Sequence, residues 1–179
     1  MTISKVIAAI KTDDEFNLSL NSNADTIFHL SPNILKIKKQ TTIAHSYGKR
    51  IFIHIDLAEG IAKDLYGIKV LKNIGVDGII STKTNLIKFA NEEGLKTIQR
   101  FFVIDTRSID SISESLKQSK ANMIEIMPGI VTKIISRLKE RVNVPIIAGG
   151  LIETKIEIDE ALKAGAYAIS TSNIGLWKQ

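Results

Sequence analysis

Short apolar runs and amphipathic stretches alternate from one end of the chain to the other. The runs Val6–Ile10, Thr26–Leu30, Ile51–Asp56, Gly78–Thr82, Thr97–Asp105, Met123–Met127, Pro145–Gly149 and Ala166–Ser170 are short and mostly apolar, as expected of strands buried on both faces. Between them, Asn33–Tyr47, Ala62–Ile74, Asn85–Glu92, Ile109–Gln118, Val131–Arg141 and Ile156–Ala164 carry apolar residues at helical spacing. Gly48, Gly75, Gly94 and Gly165 fall where four of these helices should stop. Alternating strands and helices predict an α/β fold, a parallel sheet covered by helices. Eight strands favour closure into a small TIM-like (β/α) barrel of one domain, residues 1–179. A typical barrel of this kind needs about 250 residues. Loops must therefore be short and at least one helix missing. The connection after the first strand, Thr12–Ala24 (TDDEFNLSLNSNA), is polar and weakly patterned, and the absent helix is expected there.

The segment Pro145–Asn173 narrows the chemistry. It reads as a strand, a Gly149-Gly150 turn, a short helix closed by Gly165, a second strand, and a turn through Thr171, Ser172 and Asn173. Two such turns after the last two strands of a (β/α)₈ barrel are the usual place for a phosphate. Glycine lets the backbone approach an anion, and turn amides with a following helix N-terminus supply donors. Two ordinary tight turns are the plain alternative.

Strand C-termini converge on one mouth of a parallel barrel. That rule selects His29, His54, Asp56, Thr82, Lys83, Asp105, Glu125, the Gly149-Gly150 pair, Ser170 and Ser172. Arg100 and Glu125 lie in neighbouring strands, which fits an inward ion pair. Asp56 and Asp105 fit helix caps as well as ligands, and His54 fits a satisfied core histidine. There is no Cys, which excludes disulfides and thiolate catalysis. Only His29, His45 and His54 could serve as imidazole ligands, without diagnostic metal spacing, so no metal or other cofactor is expected. The first residues lack the pattern of a signal peptide, and no apolar run approaches the roughly 20 residues of a membrane span. A cytoplasmic protein without membrane contact is the expectation.

Charge adds a mild bias. Twenty-four Lys and Arg against nineteen Asp and Glu give +5, compatible with an anionic partner. Lys36, Lys38 and Lys39 cluster early in one helix, and Lys133, Arg137 and Arg141 form an i, i+4, i+8 stripe on another. Aromatics are 6% of the chain, without an RRM-type signature, so contact with a phosphate backbone is favoured over base reading.

The runs HIDLAEG (54–60), DGIISTK (77–83), TIQRFFVID (97–105), IEIMPG (124–129), IIAGGLI (146–152) and AISTSNIGLW (168–177) together resemble the glycerol uptake operon antiterminator family. The likeness covers nearly the whole chain, in order. It implies a TIM-like barrel that binds glycerol 3-phosphate and acts on the leader mRNA of glycerol-catabolic genes, with no catalytic residues. On this reading Gly149, Gly150, Ser172 and Asn173 hold the phosphate, and Asp56, Glu59, Lys83 and Glu125 surround the polyol. RNA would meet the basic clusters Lys36/Lys38/Lys39 and Lys133/Arg137/Arg141.

Two alternatives stay open, because fold does not settle function. One is an enzyme acting on a small phosphorylated polyol or sugar: an isomerase using Asp56 and Asp105, a lyase using Lys83, or a phosphodiesterase. The other is a phosphometabolite sensor with a protein partner. The loop Leu57–Asp64, loosened by Gly60, is the candidate moving part, with Glu59 closing on ligand. Barrel surface left bare by a missing helix is a candidate face for a homo-oligomer.

Overall fold

The computed structural model describes residues 5–105 and 107–178; Met1–Ser4, where a leader would begin, Thr106 and Gln179 lie outside them. Eight parallel strands close into a barrel in sequence order. They are β1 (Val6–Ile10), β2 (Thr26–His29), β3 (Arg50–His54), β4 (Gly78–Ser81), β5 (Lys96–Phe102), β6 (Met123–Met127), β7 (Ile146–Gly149) and β8 (Ala168–Thr171). Seven α-helices are seen among the described residues: α1 (Asp13–Leu20), α2 (Ile34–Ser46), α3 (Leu65–Ile74), α4 (Thr84–Glu92), α5 (Arg107–Ser119), α6 (Thr132–Lys139) and α7 (Lys155–Lys163). None is long and apolar enough to cross a membrane.

Strand residues alternate between two cores. Ile7, Ala9, Phe28, Phe52, Ile80, Ile98, Ile147 and Ala168 fill the barrel, with Phe28 and Phe52 edge to face at 5.8 Å. Their neighbours, such as Ala8, Ile27, Ile51, Ile53 and Ile79, face the helices.

The expected missing helix is misplaced. The 13–20 segment is helical, opened by a capping box in which Thr12 Oγ1 accepts from the Glu15 N–H and Glu15 accepts from the Thr12 N–H. It buries only Phe16, Ser19 and Leu20, too few apolar positions for a clear periodicity. The shortened connection is the last one. After β8 come a single 3₁₀ turn, Ile174–Leu176, and Trp177, which is fully buried and donates Nε1–H to the Thr171 carbonyl. The Asn23 N–H donates to the Trp177 carbonyl and ties this end to the segment after α1. A second correction concerns α6, which stops at Lys139, so Arg141 lies beyond the helix.

Candidate functional site

Toward the strand C-termini the inward positions become polar. His54, Arg100, Glu125 and Ser170 lie two places beyond Phe52, Ile98, Met123 and Ala168, and so share their inward face. Arg100 and Glu125 are direct register partners on β5 and β6. The expected inward ion pair is present: Arg100 Nε donates to Glu125 Oε2 at 2.6 Å. Ser170 Oγ donates to the other oxygen, Oε1, at 2.5 Å. Both carboxylate oxygens of this fully buried side chain are thereby bonded.

Gly149 completes the floor. A Cβ at this position would stand 2.5 Å from both Glu125 Oε1 and Ser170 Oγ. The residue must be glycine because a buried carboxylate lies against its backbone, a reason distinct from the close approach of an anion.

Above the floor opens a cavity of ≈ 660 Å³, bordered by Gly150–Thr154 on one side and Ser170–Asn173 on the other, with Lys11, Leu30, Arg100, Glu125 and Met127. Gly150 and Leu151 are both left-handed, with φ of +75° and +60°. For a leucine that backbone costs roughly 1–2 kcal/mol, and such strain gathers at functional sites. The amides of Gly150, Leu151 and Ser172 have no acceptor among the described residues. Three donors without acceptors at one cavity have the chemistry that a multivalent anion requires.

The helix after the turn contributes less than expected. The N-terminus of α7 is capped from within, the Glu157 carboxylate accepting from the Glu153 and Thr154 amides at 2.8 Å each. Those two bonds hold Glu157 below the usual carboxylate range. Asn173 is also engaged. Its Nδ2 donates to the Glu153 carbonyl at 2.9 Å and its Oδ1 accepts from the Gly175 N–H at 3.0 Å, so it fastens together the two turns that border the cavity. Thr171 Oγ1, donating to the Ile152 carbonyl at 2.8 Å, fastens them a second time.

Of the residues assigned to the ligand from sequence, the structure brings Glu125, Gly149, Gly150, Ser172 and Asn173 together and leaves three apart. Asp56 accepts from Ser81 Oγ at 2.6 Å and from the Thr82 N–H and Oγ1 at 2.7 and 2.8 Å, anchoring the turn before α4. Burial raises its pKa, but these bonds outweigh burial and hold it below the ordinary value. Glu59 accepts from Asn33 Nδ2 at 2.8 Å, and its backbone bonds Pro32 and Ile34. The 57–64 loop is thus fastened to the start of α2. Lys83 is exposed at the N-cap position of α4. None of the three borders the cavity.

His29 does not join the mouth: it points outward, Nε2 bonded to Gln40 at 3.1 Å. His54 faces inward with Nδ1 buried and unpartnered among the described residues. Burial first, then Arg100, lowers its pKa, partly offset by Asp56 and Glu125. Asp105 accepts from the Ser108 N–H at 3.0 Å, a helix-capping bond. Among the described residues no group of three or more His, Asp or Glu is placed to hold a metal. Lys11 and Leu151 escaped the sequence reading, although Lys11 directly follows β1 and so sits at the C-terminal edge.

The basic clusters lie on helices outside the mouth. Lys36 pairs with Asp13 at 2.6 Å, while Lys38 and Lys39 are exposed. Lys133 and Arg137 share a face of α6; Arg141 leaves that stripe and pairs with Asp110 on α5.

A family model for glycerol-3-phosphate responsive antiterminators matches residues 6–177. The chain is 38% identical over 173 residues to the uncharacterized protein YgcP of Escherichia coli (strain K12), covering 96% of this chain and 91% of that protein. The crystal structure of the glycerol uptake operon antiterminator regulatory protein from Listeria monocytogenes str. 4b F2365 is similar with a TM-score of 0.92 and 31% identity, over 99% of this chain and 96% of that one. A glycerol uptake operon antiterminator-related protein from Thermotoga maritima MSB8 gives 0.88 and 30%, over 99% of this chain and 100% of that one.

Proposed function

The chain belongs to the glycerol-3-phosphate responsive antiterminator family, and on that footing we propose that its barrel mouth is the effector site, with leader mRNA as the output. One observation carries the placement: three amides without acceptors, Gly150, Leu151 and Ser172, border one cavity in a barrel whose last two βα turns are its anion end. The phosphate sits on these amides with Lys11 supplying charge. The polyol points down toward Glu125 and Arg100, whose bonded oxygens and guanidinium present a fixed polar floor for hydroxyl groups. The cavity lies within the range of small-ligand sites, about 300–1,000 Å³.

The enzyme alternative finds little support in the same geometry. Glu125 is bonded by Arg100 and Ser170, and Asp56 by Ser81 and Thr82, so neither carboxylate is left over as an acid or base. With both of these carboxylates engaged, the mouth is better suited to binding than to proton transfer, and the protein acts as a regulator without turnover.

The test is thermal unfolding with glycerol 3-phosphate, inorganic phosphate and glycerol in parallel. At a hundredfold excess over Kd, glycerol 3-phosphate stabilises by about 2.7 kcal/mol, a Tm rise of roughly 5–10 °C at this chain length. Gly150→Ala, which forces a Cβ toward Met127 Cε at 2.7 Å, should remove most of that rise. An undiminished rise in the variant would sink the phosphate placement, and sustained product formation from glycerol 3-phosphate would sink the regulator reading.

A further inference from the structure

The rim beside the proposed effector cavity combines an exposed aromatic with free guanidinium groups. Phe102 ends β5 with 59% of its surface exposed, and Ile104 just beyond it is 92% exposed. Phe102 is the register partner of Met127, which borders the effector cavity and whose Cε lies against Gly150. Five residues along the chain, at most roughly 18 Å, Arg107 opens α5. It shares a cleft of ≈ 440 Å³ with Arg137 of α6. Arg107 and Arg137 are exposed and make no ion pair among the described residues, whereas Arg141 in the same cleft is engaged by Asp110. With Glu140 also present, the cleft carries three arginines against two carboxylates, a net +1.

We infer that the nucleic-acid surface of this protein is the rim formed by Phe102 together with the α5–α6 arginine cleft, and that it takes single-stranded RNA. A guanidinium pair without carboxylate partners suits successive backbone phosphates. An exposed ring five residues before Arg107 offers a stacking face for an unpaired base, which a duplex cannot present because its bases are already stacked. The contact series from Gly150 through Met127 to Phe102 places this surface one residue away from the anion turn, so occupancy of the turn can bias the ring. The surface differs from the Lys36/Lys38/Lys39 cluster and adds Arg107 to the α6 residues. The inference rests on the antiterminator reading.

The experiment is fluorescence anisotropy on the full chain with glycerol 3-phosphate present, at several salt concentrations. The probes are a single-stranded leader oligoribonucleotide and the same sequence annealed to its complement. Phe102→Ala should weaken single-strand binding about tenfold with an unchanged salt slope, and Phe102→Tyr should restore it. Arg107→Gln with Arg137→Gln should weaken binding and reduce the slope by about 1.4, two contacts at about 0.7 each. Thermal stabilisation by glycerol 3-phosphate should persist in all three, which establishes that they fold and bind effector. Wild-type binding that survives in both Phe102→Ala and the arginine variant overturns the surface while leaving the RNA output intact. Equal affinity for duplex and single strand overturns the stacking mode, and so does an altered oligomeric state of Phe102→Ala without loss of RNA. A wild-type protein with no RNA affinity at low salt overturns the antiterminator reading itself.

Discussion

Replacing Gly149 with alanine isolates the claim that this glycine serves the buried carboxylate. Its φ is not left-handed, so the substitution carries no backbone strain; the whole effect must come from the methyl group. That methyl would stand 2.5 Å from Glu125 Oε1 and from Ser170 Oγ, well inside contact distance. The two oxygens are themselves 2.5 Å apart, so relief requires the hydrogen bond between them to open. A hydrogen bond to a charged group contributes about 1.5–3 kcal/mol, and overpacking a filled interior adds about 1–3 kcal/mol. The expected loss is therefore about 2.5–6 kcal/mol, a large part of the 5–15 kcal/mol that typically separates folded from unfolded chains. At about 2–4 °C per kcal/mol, the ligand-free Tm should fall by roughly 5–24 °C. Urea denaturation of ligand-free protein measures the free energy directly. A cycle with Ser170→Ala adds a second reading: the methyl and the hydroxyl compete for one space, so the double variant should lose less than the sum of the singles. A Gly149→Ala protein within about 0.5 kcal/mol of wild type, the margin of an ordinary surface change, would refute the reasoning.

Glu125→Gln should cost about 3–5 kcal/mol in urea denaturation, because Arg100 is left as a buried charge without its counter-charge; a loss below 1 kcal/mol would mean that water reaches the guanidinium. Stability should fall as pH drops below about 6.5. His29 and His54 stay neutral in the fold with pKa values lowered by burial, so the unfolded chain takes up protons that the folded one refuses. Asp56, held below its ordinary 3.8, contributes stability above that value that is lost as pH falls through its folded pKa. Thermal unfolding from pH 7.5 to 5.5 reads the histidine part: His54→Gln should flatten the decline, and a wild-type curve level across that window would refute the assignment.

The strands were legible because both faces of each are buried. Where a run is continuously apolar and bounded by Gly, Pro or Asp, little else fits, and Met123–Met127 has the expected bounds. The strand ends were less legible. β3 was expected to reach Asp56 and ends at His54, because Ile55–Leu57 turns as a 3₁₀ segment that delivers Asp56 to Ser81 and Thr82. Helix α1 was hidden by its composition, yet Thr12-x-x-Glu15 is a capping-box spacing and was the available signal. Apolar content alone could not disclose a helix that buries three residues.

The mouth shows a different limit. A sequence marks which residues can face it but not which are already engaged, and engagement decides what remains for a ligand. Asp56, Glu59, Asn173 and Glu157 are all polar and near strand or helix ends, and each is already bonded, the first three to a neighbouring loop and Glu157 to its own. The neighbouring glycines make the same point within two residues. Gly149 is required by a carboxylate beneath it, whereas Gly150 is required by a left-handed turn above. An identical pair of letters thus divides into a floor and the turn of the proposed anion site. Among the described residues the unengaged groups at the cavity include the amides of Gly150, Leu151 and Ser172, which belong to no side chain and leave no mark in a sequence. The proposed effector site was therefore readable as a place, from the spacing of two turns, and its donors only from the backbone.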